Sequence, residues 1–251
     1  MNDSRAVLVT GGSRGIGRAI AHAFAAAGDR VAVHWGASRE RAEAVLTQLP
    51  GDGHVLVQAD LADADAVGRM VDEAAAALGR LDVLVNNAGV FTAHPPLSVS
   101  YEEWQAAWSR TLAVNLLGAA NATFRAVPHL VAAGGGAVVN VSSRGAFRGE
   151  PDTPAYGASK AGLNAFGQSM AIALAPHGIS VGTVAPGFVQ TEMAREVLDG
   201  PGGDAVRAQS PYGRVARPEE VASAVLWLAS PGARFSTGTI IDVNGASYLR
   251  S

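Results

Sequence analysis

An α/β fold, doubly wound as three α/β/α layers around a mostly parallel seven-stranded sheet, is what this sequence predicts, on three observations. Short apolar, β-branched runs alternate along the chain with longer alanine-rich stretches of helical character. The runs are near-continuous in Val, Leu and Ile rather than alternating, which suits strands covered on both faces. Repeated β-then-α order implies right-handed crossovers that place helices on both sides of a parallel sheet.

The elements follow in that order. Strands are expected at Ala6–Thr10, Arg30–His34, His54–Ala59, Asp82–Asn86, Ala137–Val141, Ile179–Val184 and Thr239–Val243. Helices are expected over 15–27, 38–49, 64–78, 101–126, 155–175 and 217–230. Two loop-rich segments interrupt the alternation, Phe91–Ser100 and a longer one from Phe188 to about Arg217 that contains DGPGG. No tandem repeat appears, and no linker is long enough to divide the chain. One domain over 1–251 is therefore expected.

Bulk composition removes several function classes. Of 251 residues, 48% are hydrophobic, enough for a substantial core. The net charge of −3 is spread without a long basic run, which argues against a nucleic-acid or anionic-membrane partner. The chain has no cysteine, so disulfides, thiol nucleophiles and Cys-type zinc sites are excluded together, and no metal site is expected. Neither a signal-peptide h-region nor an apolar run of about 18 residues is present, and a cytoplasmic protein is expected.

After almost every strand the sequence turns to Gly, Pro, Asn, Asp or Ser: TGG, AD, NNAG, SSRG and APG. In open α/β sheets ligands bind outside the carboxyl ends of the strands, so these residues converge on one edge. The first of them, TGGSRGIG at 10–17, carries Gly11, Gly15 and Gly17. Such glycines let backbone N–H groups approach a pyrophosphate at a helix N-terminus, or form a plain tight turn. The segment is not a Walker A loop, because Arg18-Ala19 stand where Lys-Ser/Thr would be needed.

No acid follows the second strand before Glu40, whereas Arg14, Ser38 and Arg39 supply positive charge and a hydroxyl. An acid there would take a ribose 2′-OH; arginines suit a 2′-phosphate, so NADP(H) is favoured over NAD(H). Asp60 can take an adenine amino group or cap the next helix. Asn86-Asn87-Ala88-Gly89 is a structural turn or a flat floor for a ring. In TPAYGASKAG, Tyr156 and Lys160 lie four apart on one helix face, behind Thr153 as N-cap and Pro154 at the first helical position. The helix dipole and the lysine cation are expected to lower the phenol pKa. Two exposed surface residues would show the same spacing.

Taken as an ordered set, TGGSRGIG, NNAG, Ser143 thirteen residues before Tyr156, YGASK and PGFVQT resemble the short-chain dehydrogenase/reductase family over nearly the whole chain. The resemblance implies a Rossmann-like fold, with a cofactor half over about 1–140 and a catalytic and substrate half over about 141–251. It implies a ketone–secondary alcohol oxidoreductase with Tyr156 as acid–base, Lys160 supporting it and holding ribose hydroxyls, Ser143 bonding the substrate oxygen and Asn115 holding a relay water. Cofactor contacts carry over to Gly11, Ser13, Arg14, Gly15, Ile16, Gly17, Asp60, Leu61, Asn87, Val189 and Thr191. Gly36, Ser38, Arg39, Ala88, Gly89, Pro186 and Gly187 border the same expected site.

Phe91, His94, Arg144, Phe147, Arg148, Glu150, Phe188 and Met193 are expected around the small-molecule substrate, with 188–217 as a lid. The pattern is most similar to 3-oxoacyl-[acyl-carrier-protein] reductases. It departs from them at Ala133-Gly134-Gly135 and Pro176-His177, where basic residues are usual, and at NGAS, where a second glycine is usual. An NAD-dependent alcohol or sugar dehydrogenase and a non-catalytic dinucleotide sensor are the alternatives. The family implies a homotetramer or homodimer, with helices 101–126 and 155–175 as contact surfaces.

Overall fold

The computed structural model describes residues 4–250. Seven strands form one sheet: β1 (Ala6–Val9), β2 (Arg30–Trp35), β3 (Val55–Gln58), β4 (Val83–Asn86), β5 (Gly136–Val141), β6 (Ile179–Pro186) and β7 (Ile240–Val243). Their spatial order is β3-β2-β1-β4-β5-β6-β7, and every neighbouring pair is parallel, so the sheet is wholly rather than mostly parallel.

Successive residues of a strand point to opposite faces, and both faces are buried here. Ala6 and Leu8 of β1 join one core with α3 (Ala64–Leu78), α5 (Gly118–Ala132) and α6 (Pro154–Leu174). Val7 and Val9 join the other with α1 (Gly15–Ala26), α2 (Arg39–Leu46) and α9 (Pro218–Leu228). Burial on both sides is why the strands read as unbroken apolar runs.

The expected helix over 101–126 is three segments. It comprises α4 (Tyr101–Leu112), a single π turn at Ala113–Leu117, and α5. A π turn inserts one extra residue per turn and is common at functional sites. The next residue, Gly118, runs against β3's exit loop, where a Cβ would stand 2.7 Å from the Leu61 carbonyl oxygen. The segment from Phe188 is not simply loop either. It contains α7 (Glu192–Asp199) and α8 (Gly203–Ala208), separated by the glycines of DGPGG and anchored by a parallel bridge between Val189 and Ala216. Among the described residues no helix is long and apolar enough to cross a membrane.

The strand order reverses at β1, whose neighbours are β2 and β4. The loops leaving β1 and β4 diverge there and open a crevice at the carboxyl edge.

Candidate active site

A cleft of about 920 Å³ fills that crevice and extends across the carboxyl ends of β1, β4, β5 and β6. At its first end lies the glycine loop. Gly11 and Gly15 have φ of 64° and 52°, a region that L-residues with a Cβ rarely adopt. A Cβ on Gly17 would collide with the Gly11 carbonyl oxygen. Asn87 braces the loop from β4, its Nδ2 donating to the Thr10 oxygen at 2.8 Å and the Gly11 oxygen at 3.1 Å. His34 braces it from β2. Gly11 N–H donates to His34 Nδ1 at 2.9 Å, and Nε2–H donates to the Ala59 oxygen at 3.1 Å. That arrangement needs neutral imidazole, and burial pushes the His34 pKa down to about 4.

Beyond β2 the cleft wall carries Gly36, Ser38, Arg14 and Arg41. Arg39 turns away: its Nε donates to Glu43 at 2.8 Å on the exposed side of α2. Arg41, absent from the sequence expectation, takes its place. The Ser38 hydroxyl accepts Arg41 N–H as the helix N-cap, which orients the first turn of α2. Glu192 of α7 faces both cleft arginines, 3.3 Å from Arg41 and 3.9 Å from Arg14.

At β3's exit, Arg110 of α4 bonds both oxygens of Asp60 at 3.0 Å, and this holds the carboxyl below its usual range. Asp60 also accepts the Ala62 N–H, but the cap of α3 is Asp63. Ser13, Ile16, Leu61, Ala88, Gly89, Pro186, Gly187, Val189 and Thr191 all line the same cleft. The left-handed glycine cradle and the two arginines fit a dinucleotide whose pyrophosphate lies on α1 and whose ribose end lies near Arg14.

At the other end stand Ser143, Tyr156 and Lys160, brought together by β5's exit and the start of α6. The Ser143 Oγ accepts the Gly145 N–H at 3.0 Å, which closes a short turn after β5. Lys160 is buried, and its Nζ donates to the Val141 oxygen at 2.8 Å. Without a carboxylate to offset burial, its pKa falls to about 8. The Tyr156 phenol is raised, not lowered as the helix position suggested. Burial dominates, the adjacent Ser143 opposes it, and Glu150 adds to it. Phe91 stands edge-on to the tyrosine ring at 4.9 Å between centroids.

Three expected residues sit behind the wall rather than on it. Asn115, in the π turn, is buried: Nδ2 donates to the Val90 oxygen and Ser159 Oγ, and Oδ1 accepts Val90 N–H at 2.8 Å. Only the thin Gly89 separates it from Lys160, since a Cβ there would lie 3.4 Å from Asn115 Oδ1 and 3.5 Å from Lys160 Nζ. His94 is also buried. Its Nε2 accepts the Ala155 N–H at 3.2 Å and Nδ1–H donates to the Thr92 oxygen, so it caps α6. Thr153 holds the N-cap position, with Pro154 following, but its side chain makes no capping bond. Phe147 packs under Arg250, 4.4 Å from the guanidinium carbon to the ring centroid. Phe91, Arg144, Glu150, Phe188 and Met193 do line the cleft, whereas Arg148 does not.

Comparison with known proteins agrees with this geometry. The family profile described as Enoyl-(Acyl carrier protein) reductase matches residues 11–246. The chain is 38% identical to the 3-oxoacyl-[acyl-carrier-protein] reductase FabG of Staphylococcus aureus, over 99% of this chain and 100% of the relative. It is 40% identical to the cis-4-hydroxycyclohexanecarboxylate dehydrogenase of Sinomonas cyclohexanicum, over 96% and 95%. A short chain dehydrogenase from Burkholderia cenocepacia, solved in complex with NADP, superposes with a TM-score of 0.88 at 37% identity, covering 97% of each chain. A shared fold, full-length coverage and the sequence identity lead to one conclusion: this chain belongs to the short-chain dehydrogenase/reductase family of oxidoreductases.

Proposed function

We propose that the protein is an NADP(H)-dependent reductase that interconverts a ketone and a secondary alcohol, with Ser143, Tyr156 and Lys160 as its catalytic residues. The observation that carries this reading is the convergence of those three side chains at one end of a cleft whose other end presents Arg14 and Arg41. The NADP in the Burkholderia structure supports the same cofactor.

The bound dinucleotide supplies the hydride acceptor or donor. The protein handles the proton. Ser143 Oγ–H donates to the substrate oxygen and polarises it. Tyr156, held neutral by burial, gives its phenolic proton to that oxygen during reduction and takes it back during oxidation. Lys160 lies 5.8 Å from the tyrosine ring centroid, close enough for its charge to favour the phenolate as the proton leaves. Asn115 acts at one remove, as a positioning residue that fixes Val90 and Ser159 beside the lysine. The 188–217 segment, with Phe188 and Met193 on the cleft, closes over the substrate.

The Staphylococcus relative favours a 3-oxoacyl thioester as a second substrate reading. We assign a cytoplasmic homotetramer or homodimer as the working form, built on the outer faces of α4, α5 and α6.

NADPH consumption with a panel of ketones and thioesters, for the native protein and Tyr156→Phe, tests the assignment. The variant should lose about 10²- to 10⁴-fold in turnover. Equal rates in the two proteins would overturn it.

A further inference from the structure

Arg144 follows Ser143 directly and is 4% exposed, yet it lies on the wall shared by the main cleft and a second cavity of about 260 Å³. Only its Nη1 is engaged, donating to Gln209 Oε1 at 2.8 Å and Ser247 Oγ at 2.9 Å. Both partners are neutral. The Phe188 ring covers the guanidinium at 5.4 Å from its centroid. Arg148 shares the Gln209 oxygen at 3.1 Å, which adds like charge. Glu150 acts on Arg144 through space, without a hydrogen bond.

A guanidinium has five N–H donors, and a buried one left without an anion is costly. None of Arg144's nitrogens is among the fully enclosed atoms that lack a partner. The unengaged Nε and Nη2 therefore face open volume. That edge is the one that takes a planar carboxylate through two parallel hydrogen bonds.

We propose that Arg144 binds an anionic group of the substrate, and that the physiological substrate is an oxo acid or its hydroxy acid, with the carboxylate on Arg144 while the ketone oxygen lies between Ser143 and Tyr156. This rests on the carbonyl-reduction reading above. Adjacency of Ser143 and Arg144 in the chain limits the two substrate groups to a short separation. A residue that merely tied the lid to the C-terminal segment through Gln209 and Ser247 would be indifferent to substrate charge.

The test uses short oxo acids that differ in the spacing of ketone and carboxylate, each beside its methyl ester, with NADPH. The native protein should prefer at least one acid over its ester in kcat/KM. Arg144→Gln should lower kcat/KM for that acid by about tenfold or more while leaving the ester within about threefold. Arg144→Lys should retain part of the preference. Pentanoate should raise the melting temperature of the native protein and of Arg144→Lys above the effect of methyl pentanoate, a measurement that needs no turnover. No preference for any acid, or equal losses on acid and ester in Arg144→Gln, would refute the subsite and leave the reductase reading standing. Pentanoate stabilisation with no reduction of any carbonyl compound would uphold the subsite and remove the reductase reading instead.

Discussion

The backbone N–H of Gly11 donates to His34 Nδ1 at 2.9 Å, so the first glycine of the cofactor loop is held by a histidine from the adjacent strand. Protonation would turn that acceptor into a donor facing a donor. The folded-state pKa of about 4 lies below the ordinary value of 6.5, so the unfolded chain binds the extra proton first. Stability from His34 is complete above pH 6.5 and is lost as pH falls toward 4, at up to about 1.4 kcal/mol per pH unit. Denaturant titrations of native protein and His34→Asn between pH 4 and 7 should diverge over this window. Parallel curves would rule the clamp out.

Arg41 and Arg39 make opposite predictions. Arg41→Ala should weaken NADPH binding by about tenfold or more, through loss of a phosphate-binding guanidinium. Arg39→Ala, whose partner is Glu43, should leave it unchanged. Calorimetric titration of both variants decides the matter, and a loss confined to Arg39→Ala would reverse the assignment.

Glu192 competes for those same arginines. Because all three side chains are about half exposed, the competition is modest. Glu192→Gln should tighten NADPH by about two- to fivefold and leave NADH unaffected. Equal changes for the two cofactors would point to general loosening of α7.

Lys160 weakens the fold it serves. A folded pKa of about 8, down from 10.5, means that keeping the buried ammonium charged at neutral pH opposes folding, and the penalty is relieved only as pH rises from 8 to 10.5. Lys160→Met should be inactive yet more stable at pH 7, by about 1 to 3 kcal/mol. Thermal unfolding at pH 7 is the measurement, and a destabilised variant would contradict it.

Ala246 carries strain. It stands where the family usually has glycine and has φ of 59°, the only such non-glycine residue among those described. Ala246→Gly should gain about 1 kcal/mol, or roughly 2 to 4 °C in melting temperature. An unchanged or lower value would mean that the alanine methyl earns its place by packing.

What the residues disclosed and what they hid have separable causes. The seven strands were legible because each is apolar on both faces and ends in a turn residue. The positions of Ser143, Tyr156 and Lys160 were legible because a strand exit and a helix start fix them locally. Arg41 was hidden because two arginines separated by one residue compete for the cleft, and only the Ser38 cap and the Arg39–Glu43 pair decide which enters. The His94 cap joins residues 61 apart in the chain, a distance at which no local pattern operates. The raised tyrosine was missed because spacing reports neighbours and not burial. The helices α7 and α8 were masked by the glycines around them.

The π turn at Ala113–Leu117 has a meaning in chain length. A helix that runs through a π turn carries one residue more than an α-helix needs to cover the same path. Deleting one residue there would leave a segment still able to coil, but everything before it would rotate by about 100° relative to everything after it. Asn115 would then leave Val90 and Ser159, and Arg110 would swing away from Asp60. The surplus residue thus acts as a phase setting: it lets one long helix address the lysine with one part of its surface and the adenine end of the cleft with another.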